Sequence, residues 1–234
     1  MENAIKQTSS LISEAVVNAA VHGINLSAGS PTRADGNCIF SAVIANINSR
    51  DCFSSKIDLS PFEARGIWLN SSQDKVRKFT GVNTQEFDTQ WDILKQDKMY
   101  ETNMGDFVLP AIAHTLKYDI LIFNTRHVNA HDPIAVAKAN KIANIEAKTT
   151  IPLVLAYDGT HYEHLIPRSE ADIISTTNLV EKYTSGHYNI TWLNSFTATY
   201  AQVVGHCNTV TQKTDNAMLS ANLGYQGVTT PAKK

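Results

Sequence analysis

Of the three cysteines in this chain, Cys38, Cys52 and Cys207, one stands in a setting suited to chemistry. Cys38 lies in the segment Ala34-Asp35-Gly36-Asn37-Cys38-Ile39-Phe40 and opens the apolar run Ile39-Phe40-Ser41-Ala42-Val43-Ile44-Ala45-Asn46-Ile47. That run predicts a buried helix of about ten residues with Asp35 or Asn37 at its N-cap. A thiol nucleophile needs three things: a stabilised thiolate, a base to hold the proton, and a group that orients the base. A helix N-terminus supplies the first, because its free N–H groups and the positive end of the helix dipole favour negative charge. Gly36 lets the backbone turn sharply and approach a substrate closely. The N–H groups of the Gly36-Asn37 loop could then form an oxyanion hole. A free cysteine is more commonly a structural side chain than a nucleophile, and Cys52 and Cys207 read as inert.

The base must come from elsewhere. The apolar run Ile151-Pro-Leu-Val-Leu-Ala-Tyr157 reads as a buried strand, Asp158-Gly159 as a turn, and His161-Tyr162-Glu163-His164-Leu165-Ile166 as the returning strand. His161 is then presented at a sheet end. Glu163, two residues on and on the same face, could orient its imidazole. Asp35 is the other candidate orienter. His187, in Gly186-His187-Tyr188-Asn189, is a rival base, but polar Lys182-Tyr183-Thr184-Ser185 precedes it where a strand should be, so His161 is preferred. The spacing of His161, Glu163 and His164 is not that of a helical zinc pair, and no CxxC occurs, so neither a metal nor a cofactor is expected.

The elements that must position these groups follow from periodicity. Leu11, Ile12, Ala15, Val16, Ala19, Ala20 and Val21 give helical spacing over 8–23, and Gly23 through Arg33 reads as a loop. Ser60 as a cap and Pro61 at the first helical position predict a helix over 61–79. Residues 85–99 read as mixed helix and loop. Residues 105–117 read as a helix with Pro110 in its first turns or at a kink, and 119–124 as a buried strand. Polar 126–150 reads as a helix or a surface insertion. Trp68, Trp91 and Trp192 read as core. From Thr197 the chain turns rich in Thr, Ala, Asn and Gln, and 205–234 reads as a flexible tail. The expected organisation is a helical extension over 1–27, a domain over 28–196 and a tail over 197–234. Its class is α+β, with a small central sheet packed between helices.

Composition narrows the partners. The chain has 234 residues, 43% hydrophobic and 18% charged, with a formal net charge of -2. That is globular composition, with no basic excess to favour nucleic acid or an anionic membrane. No apolar run approaches the length of a bilayer span, and the N-terminus shows no secretory pattern. Three cysteines do not make a disulfide framework, and they point to a reducing compartment.

The segment Asp35-Gly36-Asn37-Cys38-Ile39-Phe40 resembles the nucleophile motif of the OTU (ovarian tumour) family of deubiquitinating cysteine proteases. Tyr157-Asp158-Gly159-Thr160-His161-Tyr162-Glu163-His164-Leu165 resembles the family's second motif. The resemblance spans about residues 28–168. It implies a papain-like cysteine protease fold, ubiquitin or polyubiquitin chains as partner, and hydrolysis of isopeptide bonds between ubiquitin and lysine. By it Cys38 is the nucleophile, His161 the general base and Asp35 the family's Asp before the nucleophile. The position two after the histidine is often Asn or Asp in the family and is Glu163 here, which leaves Asp35 and Glu163 both open as third member. A non-catalytic ubiquitin-binding module and a protease for a polyprotein or ubiquitin-like modifier are the alternatives. A monomer working in the cytoplasm is expected, in the host cytosol if the chain is a pathogen effector or viral enzyme.

Overall fold

The computed structural model describes residues 2–53, 56–98, 104–125, 134–144 and 151–184, with side chains from Leu11 onward. His187, Trp192, Cys207 and the expected tail over 197–234 lie outside the described residues.

Six helices appear among them: α1 (Glu2–Val21), α2 (Cys38–Asn48), α3 (Pro61–Thr80), α4 (Thr84–Leu94), α5 (Val108–Leu116) and α6 (Glu170–Thr184). Five strands, β1 (Leu26–Ala28), β2 (Ile120–Asn124), β3 (Ile134–Ala137), β4 (Leu153–Tyr157) and β5 (Tyr162–Pro167), form one sheet in the order β1-β5-β4-β2-β3. β2 and β4 run parallel, with Ile120 opposite Leu153, and the other neighbours are antiparallel. The class is therefore α+β, a small mixed sheet packed between helices.

Alternation along the strands gives each face its own partner. Leu121 and Phe123 of β2, Val154 and Ala156 of β4, and Ile134 and Val136 of β3 bury together with Leu11, Ala15 and Ala19 of α1 and Leu179 and Val180 of α6. On the opposite face α2 packs against β4 and β5. Asn46 of α2, fully buried, donates from Nδ2 to the carbonyls of Val154 at 2.8 Å and Leu165 at 2.9 Å. α2 is thereby held to the two strands that flank the His161 turn. Behind it, α3 packs against both α2 and α5. Trp68 and Trp91 are buried in this layer, and the Trp91 indole N–H donates to the Leu69 carbonyl at 3.0 Å.

The Ser60, Pro61 and Pro110 signals coincide with helix starts. Ser60 and Glu63 form a reciprocal capping box ahead of Pro61, and the Gly81 C-cap sits in the left-handed region. Pro110 lies in the first turn of α5, where no intrahelical donor is lost. Three elements differ from expectation. The loop expected over 23–33 contains β1, which pairs Ala28 with Leu165. The stretch over 126–150, expected as a helix or a surface insertion, contains β3, whose four residues are too short a run to stand out and are fixed by pairing with β2. α6 follows β5 where nothing was assigned. The boundary expected at 27/28 runs through β1, and α1 shares the core of the sheet.

Candidate active site

Cys38 is the first residue of α2 and is 4% exposed. The turn that delivers it is tightly built. Gly36 has φ +77°, and a Cβ there would fall 2.5 Å from the Lys98 carbonyl oxygen, so both conformation and space demand glycine. The Asp35 carboxylate accepts the Asn37 N–H at 3.0 Å, closing an Asx turn. Asn37 occupies the N-cap position, but its side chain makes no capping bond and instead donates to Asp97 at 2.6 Å. The helix start at Cys38 therefore carries no side-chain cap.

His161 enters from the β4–β5 connection. The Asp158 carboxylate accepts from the backbone N–H groups of Thr160 and His161, each at 2.9 Å, and from the Thr160 hydroxyl at 2.8 Å. Tyr157 donates to the Gly159 carbonyl at 2.7 Å and stacks on Tyr162 with ring centroids 4.2 Å apart. Burial, then the charges of Asp106, Cys38 and Asp158, raise the Tyr157 phenol above its ordinary value, so it remains a donor. These bonds make the turn a rigid platform for the imidazole.

The imidazole is shared between two acids. Its Nε2 lies 2.8 Å from Glu163 Oε1, with Glu163 1% exposed on β5. Its Nδ1 is buried without a hydrogen-bond partner among the described residues. Cys38, at the start of α2, acts electrostatically on the ring and favours its protonated form. With Nε2 committed to Glu163, Nδ1 is the nitrogen left to exchange a proton with sulfur. Burial is the largest single influence and disfavours the imidazolium. Interactions with Cys38 and Glu163 outweigh it and push His161 up to about 10. At neutral pH the arrangement favours an imidazolium between a sulfur and a carboxylate.

The structure thus brings Cys38, His161 and Glu163 together. Asp35 does not join them, since its carboxylate bonds to the Asn37 N–H. His164, the other histidine of β5, is buried, and burial lowers its proton affinity. A Cβ on Gly29 would fall 1.7 Å from its ring, which shows how closely that backbone approaches. Among the described residues no group of three His, Cys, Asp or Glu is arranged to hold a metal.

Thr32 escaped the sequence reading. Its N–H donates to Glu163 Oε2 at 2.9 Å, its hydroxyl donates to the Tyr162 carbonyl at 2.6 Å, and that hydroxyl lies 3.2 Å from His161 Nε2. Nothing local marks it, because its partners lie about 130 positions away along the chain. Pairing of β1 with β5 carries it there. Asp158 did have a signal, the Asp-Gly dipeptide read as a turn.

No family model and no curated protein matches this chain. Among solved structures it is similar to the Hazara virus OTU bound to ubiquitin, with 17% identity over 62% of this chain and 89% of that chain, at a TM-score of 0.36.

Proposed function

We propose that this chain is a thiol-dependent deubiquitinase of the OTU type, with Cys38 as nucleophile, His161 as general base and acid, and Glu163 as the residue that orients His161. The observation that supports the reading is a buried imidazole hydrogen-bonded to the Glu163 carboxylate, with Cys38 at a helix N-terminus acting electrostatically on the same ring. The resemblance of the Asp35–Phe40 and Tyr157–Leu165 segments to the two OTU motifs supports ubiquitin as the acyl group. The papain-like fold is part of the same reading.

The Cys38 thiolate attacks the carbonyl carbon joining the ubiquitin C-terminus to a lysine Nζ, and negative charge moves onto the carbonyl oxygen. The N–H groups of Gly36 and Cys38 are the donors this reading assigns to that charge, because the N–H of Asn37, expected to share in the oxyanion loop, is given to Asp35. The C–N bond then breaks while His161 passes its proton to the leaving amine, leaving a thioester on Cys38. Water, losing a proton to His161, attacks the thioester, and ubiquitin departs with a free carboxyl group as the thiol is restored.

Two measurements test this. A ubiquitin carrying an electrophilic C-terminus is expected to form a covalent adduct with the wild type and none with Cys38→Ala. Capture at Cys38 excludes a non-catalytic binding module. Polyubiquitin chains are expected to be cleaved by the wild type, with the rate falling at least about a thousandfold in Cys38→Ala. Equal cleavage by both proteins, or none by either, sinks the reading.

A further inference from the structure

Arg65 is a buried cation outside the group just described. It lies on the inner face of α3 and is 1% exposed. Its Nη1 donates to the carbonyls of Leu94 at 2.8 Å and Gln96 at 2.9 Å, and its Nη2 donates to the carbonyl of Gly36. The guanidinium rests over the Phe40 ring, 4.9 Å from its centroid. The fork therefore ties the stretch after α4 to the turn before Cys38. Two further contacts join the same pieces: Asn37 to Asp97, and Gly36 against the Lys98 backbone.

The consequence is local and directional. The peptide plane between Gly36 and Asn37 is gripped at both ends, its oxygen by Arg65 and its N–H by Asp35. Holding that plane, with Gly36 at φ +77° and Asn37 at φ -107° and ψ 10°, restricts the directions of the N–H groups on either side, those of Gly36 and Cys38. We propose that Arg65 is a positioning residue that presets the Asp35-Gly36-Asn37 turn so that its backbone donors meet the oxyanion formed on attack by Cys38. The catalytic part of this inference rests on the reading of Cys38 as nucleophile, and the clamping part does not. Lysine cannot replace Arg65, because an ammonium lacks the planar fork that reaches carbonyls on two segments at once.

The test is Arg65→Lys with three readouts. Hydrolysis of a ubiquitin amide is expected to lose about ten- to a hundredfold in kcat with KM changed less than about twofold. Alkylation of Cys38 by iodoacetamide, in which sulfur displaces iodide and no oxyanion forms, is expected to change less than about twofold. Amide exchange at Gly36 and Asn37 is expected to quicken about tenfold while β2 and β4 stay protected. Unchanged exchange at the turn overturns the proposal, as does alkylation falling in step with kcat, or exchange quickening uniformly through the sheet. If the wild type hydrolyses no ubiquitin amide, the deubiquitinase reading fails, yet exchange at the turn still decides the clamp. If Arg65→Lys does not fold, Phe40→Leu, which removes the ring beneath the guanidinium, must give the same exchange pattern in smaller measure, and its absence overturns the proposal.

Discussion

Glu163 accepts two hydrogen bonds with two oxygens, from His161 through Oε1 and from the Thr32 N–H through Oε2. Glutamine offers one acceptor atom, so Glu163→Gln must set an amide N–H against a donor on one side or the other. His161 also loses a charge that holds its proton. In Glu163→Gln its proton affinity is expected to fall from about 10 toward the ordinary 6.5. The alkaline limb of kcat/KM moves down with it, and an NMR titration of the ring shows the same shift. An unmoved limb rules out Glu163 as orienter. The sign for stability follows from linkage. His161 binds its proton more tightly folded than unfolded, so its contribution is complete below about 6.5 and is lost as pH rises toward 10. Denaturation of the wild type is therefore expected to become easier across that window, with a shallower dependence in Glu163→Gln. At this scale Cys38, His161 and Glu163 were legible because each lies beside a turn or strand signal in its own segment. Thr32 was not, because its role depends wholly on contacts remote in sequence.

The turn before α2 and the β4–β5 connection are the two elements that decide the geometry, and each depends on a glycine with positive φ, Gly36 at +77° and Gly159 at +95°. Gly36→Ala incurs the left-handed penalty of about 1–2 kcal/mol, and its new Cβ also presses on the Lys98 backbone. A loss above about 2 kcal/mol is expected in urea unfolding, together with slower attack by Cys38. A loss under about 0.5 kcal/mol would contradict the described turn. The helix over Pro61–Thr80 was readable from capping chemistry, in Ser60 and Pro61. β1 and β3 were not, since runs of three and four residues are too short to establish a period and become strands by pairing with β5 and β2.

Across the whole molecule, α1 covers the sheet face opposite α2. Leu11, Ala15 and Ala19 are each at most 3% exposed against Leu121, Phe123, Val154 and Ala156. Deleting residues 2–22 uncovers that face, and losing the Leu11 contact alone costs about 2–5 kcal/mol. The shortened chain is expected to lose cooperative unfolding and resistance to limited proteolysis. A truncated chain that unfolds like the full one would show α1 to be an accessory. The antiparallel pairing of β1 with β5 has another consequence, in time. On the ribosome the segment bearing Thr32 and Cys38 emerges long before His161 and Glu163 exist, and β1 has no strand to pair with until β5 is made. The thiol is synthesised without its proposed base and meets it only when β1 pairs with β5, a slow, non-local closure. The Cys38–His161 pairing is thus completed only with β5, and until then a nascent chain carries a cysteine without its histidine.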